Sequence, residues 1–227
     1  MIFKQFFDEF SFTYTYLISS GKGREALIID PVIEKINEYI LCLKKLDLKL
    51  VKVIDTHIHA DHISGLNELH KKTNCVTVMG DKSPSEIVTL KVKDNEKIKI
   101  ENIELTSVYT PGHTSCSYSF LMNDRIFTGD TLLIDGTGRT DFQNGDPVAQ
   151  YHSLFGRILK LSDETFVYPA HDYKGEKFST IGKQKKTNPR LQVESVEEYV
   201  NIMKNLKLDR PKMMDIALPA NIKGVSI

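Results

Sequence analysis

From Thr56 to His62 the chain reads Thr-His-Ile-His-Ala-Asp-His, with His57, His59, Asp61 and His62 inside six positions. Neutral imidazole is the commonest metal ligand in proteins, and a carboxylate beside it supplies negative charge. A lone histidine is more often a core residue satisfied by a backbone carbonyl. Three histidines and an aspartate packed this closely after an apolar stretch point instead to a metal centre. Three later segments repeat the theme. Thr110-Pro111-Gly112-His113 puts a histidine in a turn, Thr128-Gly129-Asp130 a carboxylate, and Tyr168-Pro169-Ala170-His171 another histidine. Each follows an apolar run, so each reads as a ligand placed at the end of a strand. Rigid strand ends are where a metal site has to be built.

The elements that must hold these residues mix both periodicities. Residues 10–16 alternate aromatic and small polar side chains, and 26–30, 50–54, 75–79, 97–101, 103–110, 117–122, 125–128 and 166–168 read as further strands. Asn123-Asp124 marks a hairpin turn. Helical spacing covers 32–46, 64–72 and 148–161, and Ser195-Val196-Glu197-Glu198 is a capping box opening a helix to about Leu206. Strands and helices alternating in this way suit two sheets packed face to face with helices outside, an α+β sandwich. With no linker in sight, we expect a single domain over 1–227, residues about 175–227 forming a C-terminal extension of it.

Composition excludes several classes. Formal charge is zero, with 30 basic and 30 acidic residues, which argues against nucleic acid or an anionic membrane surface. No apolar run approaches the roughly 20 residues of a membrane span. The cysteines Cys42, Cys75 and Cys116 are odd in number and form no CxxC pair, so no disulfide framework is expected and a reducing compartment, the cytoplasm by default, is the reading. Met1-Ile2-Phe3-Lys4-Gln5 does not resemble the start of a signal or transit peptide. Cys42 and Cys116 read as packing residues. His70 is expected to be solvated and His152 to sit in the core or to hydrogen-bond near the site. Lys183, Lys185 and Lys186 read as a solvated surface.

The ordered set His57, His59, Asp61, His62, His113, Asp130, His171 resembles the metal motif of the metallo-β-lactamase superfamily. That resemblance implies the αββα metallo-β-lactamase fold, two mixed sheets with the metal at one edge. Further segments narrow it: Gly138-Arg139-Thr140-Asp141-Phe142-Gln143, His171-Asp172-Tyr173, Asn188-Pro189-Arg190 and Pro219-Ala220-Asn221. Together, from about Phe10 to Gly224, they are similar to the persulfide dioxygenase family, also called sulfur dioxygenases.

Membership would imply one Fe(II) per chain, held by His57, His113 and Asp130. It would imply oxidation of glutathione persulfide by O2 to sulfite and glutathione, a step of sulfide oxidation and detoxification. Two histidines and one carboxylate are the usual triad of non-haem iron oxygenases. His59, Asp61, His62 and His171 would then line the site or, in the alternative, hold a second metal. That alternative is a zinc-dependent thioester hydrolase of the glyoxalase II type, since zinc lacks redox chemistry but activates water. Glutathione's carboxylates call for fixed cations, so Arg139 and Arg190, with Tyr173 as a hydrogen-bond donor, are the candidate substrate contacts. Arg139 could equally pair with Asp141 or Asp130 and brace its loop. Some relatives carry Cys where this chain has Thr137. Relatives also suggest a homodimer, and with no sulfur-transfer domain fused here, a separate sulfur-donor protein.

Overall fold

A computed structural model describes residues 1–224; residues 225–227, the end of the expected extension, lie outside the described residues. Twelve strands form two six-stranded sheets. The first runs in order β1 (Ile2–Asp8), β2 (Thr13–Ser19), β3 (Glu25–Ile29), β4 (Lys49–Ile54), β5 (Val76–Gly80), β6 (Leu90–Val92). Its first two pairings are antiparallel and the remaining three parallel. The second sheet comprises β7 (Lys97–Ile100), β8 (Ile103–Tyr109), β9 (Tyr118–Leu121), β10 (Arg125–Gly129), β11 (Phe166–Pro169) and β12 (Ser179–Thr180), in spatial order β12-β11-β10-β9-β8-β7. Only β10 and β11 pair in parallel there.

The period-2 pattern explains how the sheets face each other. Tyr14, Tyr16 and Ile18 of β2 point into a shared core with Leu27, Ile29, Ile54 and Val78, against Leu105, Phe120 and Phe127 of the second sheet. The intervening Leu17, with Ala26, Ile28 and Val53, points outward onto α1 (Ile36–Lys45) and α2 (Leu66–Thr73) through Tyr39, Leu43, Leu66 and Leu69. On the far side Ile126 and Val167 pack on α3 (Pro147–Gly156), α4 (Ile181–Thr187) and α5 (Val196–Lys204) through Leu154, Ile181 and Tyr199. α6 (Met214–Lys223) returns to the first sheet's outer layer, where Leu218 and Ile222 pack. The result is the expected four layers, helix, sheet, sheet, helix.

Boundaries depart from the pattern in informative places. The alternating stretch from Phe10 becomes a turn until Phe12, and β2 begins only at Thr13. β1, β6, β12, α4 and α6 carry no clear periodic signal; β1 is a half-buried edge strand, and α6 contains Pro219. The helix expected over 148–161 stops at Gly156, after which a short 3-10 turn covers Ile158–Lys160. His152 on α3 is exposed rather than in the core, and His70 is not simply solvated, because its Nδ1 donates to the Cys75 carbonyl at 2.7 Å.

Candidate metal centre

Four strand ends deliver the seven chemistry-bearing residues to one edge between the sheets. β4 ends at Ile54 and releases the loop carrying His57 to His62; β8 ends just before the His113 turn. The parallel neighbours β10 and β11 end side by side, and Asp130 and His171 follow them. The two sheets are stitched here by Tyr118 N donating to the Thr56 carbonyl at 2.9 Å. Gly129 makes the approach possible. Its φ is +52°, and a Cβ there would lie 2.6 Å from Thr56 Oγ1.

The seven residues divide. One ligand atom from each of His57, His113 and Asp130 lies within 4.8 Å of the others, and the same holds separately for His59, Asp61 and His62. Asp130 Oδ2 is 3.4 Å from His113 Nε2 and 4.0 Å from His57 Nε2. His171 bridges the groups, with Nε2 3.4 Å from Asp61 Oδ2 and 3.6 Å from Asp130 Oδ1. A buried group behind them, Asp30, Asp55 and His59, has the same mutual spacing.

Hydrogen bonds set which nitrogen of each ring is free. The Thr56 hydroxyl donates to Asp30 Oδ2 at 2.9 Å, so His57 Nδ1–H donates to Thr56 Oγ1, also at 2.9 Å, leaving Nε2 with its lone pair. His113 Nδ1 donates to the Arg139 carbonyl at 2.8 Å, and His171 Nδ1 to the Phe12 carbonyl at 3.2 Å. Phe12 holds that carbonyl in place from a left-handed backbone conformation, φ +58°, which is uncommon for an aromatic residue. His59 Nε2 meets Asp30 Oδ1 at 3.2 Å, and His62 Nδ1 meets Asp61 Oδ2 at 2.9 Å.

Charge states follow from burial and neighbours. Burial, and then the adjacent His59 and His113 rings, hold the His57 pKa well below the ordinary histidine value, so His57 is neutral. At His59 burial is outweighed by the hydrogen bond and charge of Asp30, and its pKa is pushed up to about 10. At His171 burial is outweighed by the charges of Asp130 and Asp61, which raise it. Asp61 is held well below the carboxylate range, its burial overcome by His62 and His171. Burial pushes Asp55 up to about 7. A cation competes with protons for such imidazoles, so metal binding would release them.

The residues fit a metal ion. His59 Nδ1, His62 Nε2 and Asp130 Oδ1 are buried with no hydrogen-bond partner among the described residues. Such orphaned atoms cost about 1–3 kcal/mol each, a cost that coordination would remove. Two imidazoles and a carboxylate in the first group make a mixed N/O donor set of the kind that both zinc and divalent iron occupy.

A cavity of about 450 Å3 opens beside the centre, lined among others by Asp61, His113, Asp130 and His171. Arg139, Tyr173 and Arg190 all line it too. The Arg139 guanidinium is already committed to Asp141, at 2.7 Å through Nε and through Nη2, and to the Leu208 and Asp209 carbonyls. The bracing alternative describes those bonds. Arg190 is different. It donates through Nη1 to Thr137, has no carboxylate partner among the described residues, and burial lowers its pKa. Tyr173 is exposed, and its ring lies parallel to that of His171 at 6.1 Å. Lys174, which the sequence patterns did not single out, lines the same cavity. Asp30, Asn221 and Thr13, whose hydroxyl lies 3.4 Å from both Asp61 Oδ2 and His62 Nδ1, were also missed, although Pro219-Ala220-Asn221 stood out as a motif; their partners lie far away in sequence.

The Metallo-beta-lactamase superfamily profile matches residues 8–89 and 82–171. The chain is 40% identical over 226 residues to "Persulfide dioxygenase ETHE1, mitochondrial" of Mus musculus, covering 98% of this chain and 88% of that protein. A crystal structure of ETHE1 from Myxococcus xanthus superposes with a TM-score of 0.95 at 44% identity, covering 97% of this chain and 98% of that one. A hydroxyacylglutathione hydrolase of Dictyostelium discoideum is more distant, 35% identical over 170 residues, 70% of this chain and 62% of that protein.

Proposed function

The chain belongs to the persulfide dioxygenase family of the metallo-beta-lactamase superfamily, and from that premise we propose that it oxidises glutathione persulfide with O2 to sulfite and glutathione at a single Fe(II) held by His57, His113 and Asp130. The observation that carries this reading is that those three residues, two histidines and one carboxylate, each bring a ligand atom to within 4.8 Å of the others. Balanced, one persulfide, one O2 and one water give one thiol, one sulfite and two protons. The outer sulfur is oxidised, O2 is reduced, and the bond between the two sulfurs breaks.

A bound iron ion would supply the redox chemistry that lets O2 react with a sulfur nucleophile, which zinc would not. The remaining steps belong to the chain's own residues. Thr56 and the Arg139 carbonyl fix the proton on the Nδ1 side of His57 and His113, presenting both Nε2 lone pairs. His171, anchored by the Phe12 carbonyl, directs Nε2 toward Asp61 and Asp130, where it can hold or hand over a proton. Arg190 offers an unneutralised planar cation for a substrate carboxylate, and Tyr173 stands at the cavity wall. Arg139 braces the wall through Asp141 and the 208–209 backbone.

We read 1–227 as one domain with its C-terminal extension folded back, and the protein as a homodimer supplied by a separate sulfur donor. Its cysteines are free, which suits a reducing compartment, the cytoplasm in this reading. The mouse relative is named mitochondrial. No helix among the described residues is long and apolar enough to cross a membrane. Oxygen uptake with glutathione persulfide, set against hydrolysis of S-lactoylglutathione by the same preparation, tests the reaction. Uptake without hydrolysis is expected; hydrolysis without uptake would favour the thioester hydrolase.

A further inference from the structure

We infer that Asn221, near the end of α6, is a positioning residue for the metal loop. Its Nδ2 donates to the carbonyl oxygens of His59 and His62, each at 2.9 Å. Its Oδ1 accepts from Ser64 N at 2.8 Å. Both donors and the oxygen of the amide are thus engaged with one stretch of loop some 160 residues away in sequence, and the side chain is buried.

The chemistry selects this residue type. The loop presents two carbonyls and one N–H to the same spot. A carboxamide offers two donors and one acceptor in one plane and matches them. A carboxylate would set an acceptor against two carbonyls, and an apolar side chain would leave all three backbone groups unpaired in the interior. Among the described residues, the His59 and His62 carbonyls have no backbone partner and are held by Asn221, while Gln143 Nε2 and Ile33 N hold the flanking Ile58 and Ile63 carbonyls. Fixing both carbonyls fixes the Cα–Cβ directions of His59 and His62, whose free nitrogens face no other partner.

The helix itself is seated independently. Leu218 and Ile222 pack on the outer core, Asn67 donates to the Gly224 carbonyl at 2.7 Å, and Glu86 N donates to the Ile222 carbonyl at 2.9 Å. Its first residue, Met214, lines the cavity beside the centre. One helix therefore reaches from the cavity wall to the backbone of the histidine loop. The inference rests on the metal centre proposed above, though not on the reaction assigned to it.

The test is titration of the metal-free full-length chain with cobalt(II), followed by its visible absorption. Asn221→Ala should bind cobalt about tenfold more weakly with an altered spectrum, because the loop it fixes through the His59 and His62 carbonyls also carries the ligand His57; tenfold is the low end for loss of an outer contact. Asn221→Asp is similar in size and keeps the acceptor for Ser64 N, so it covers the case in which Asn221→Ala fails to fold; it should show the same loss. Asn67→Ala loosens the same helix without touching the loop and should keep the wild-type affinity and spectrum. Unchanged cobalt binding in the Asn221 variants, or an equal loss in Asn67→Ala, would overturn the inference. A wild-type chain that binds no cobalt would instead overturn the metal centre on which it rests.

Discussion

His113 Nδ1 donates to the carbonyl oxygen of Arg139 at 2.8 Å, and the guanidinium of the same Arg139 is clamped by Asp141. The arginine therefore steers the metal-facing ring through its backbone, while its side chain fixes that backbone. Gly138, the preceding residue, leaves no room for drift; a Cβ there would lie 2.8 Å from the His113 ring.

Arg139→Ala should accordingly lower the metal content of the purified protein and reduce kcat by about tenfold, the low end for loss of an outer-sphere contact. KM should change little once activity is normalised to bound metal. A large rise in KM at full metal content would show that Arg139 contacts substrate instead.

Arg190 should behave in the opposite way. It lacks a carboxylate partner and lines the cavity, so Arg190→Ala should raise KM by about 10–100-fold, the worth of a charge-assisted hydrogen bond of ~1.5–3 kcal/mol, with kcat nearly unchanged. The exposed Lys174→Ala should raise KM by no more than about fivefold. Steady-state kinetics at several persulfide concentrations separates the two parameters.

Asp30 is the hub behind the centre. It accepts from Thr56 N at 2.7 Å, from the Thr56 hydroxyl, and from His59 Nε2. Removing it strands a buried imidazole that its charge holds protonated. Asp30→Ala should cost about 3–5 kcal/mol and lower the melting temperature by roughly 10 °C, with metal content falling in parallel. A melting temperature within a degree or two of the parent would show that the interior repacks around the gap.

Metal removal should leave the fold standing. The inter-sheet core of Tyr16, Leu27, Ile29, Phe120 and Phe127 owes nothing to the centre. Far-ultraviolet circular dichroism of the chelator-treated protein should match that of the loaded protein. Restoring metal to a thousand times its dissociation constant should add ~4 kcal/mol of stability. Loss of the spectrum on chelation would mean that the metal is structural.

Much of this was legible before the fold was known. The ligands announced themselves because each sits next to an apolar run in sequence, and the four layers followed from alternating periods. What escaped reading was long-range. Asn221 meets His59 across 162 positions, and Asp30 meets Thr56 across 26. No local spacing encodes such pairs. β1 was missed because an edge strand with both faces partly wet has no clean alternation, and α6 because Pro219 argues against a helix interior. The same lack of partner information left Arg139 open between substrate and brace, and left His152 to the core or to a hydrogen bond near the site when its face of α3 meets solvent.

The most direct test of the central claim is the metal identity and stoichiometry of iron-replete protein, measured on the sample used for oxygen uptake. One iron per chain, with one O2 consumed and one sulfite formed per glutathione persulfide, is the expected result. Two zinc ions per chain, with S-lactoylglutathione hydrolysed and no oxygen consumed, would contradict it.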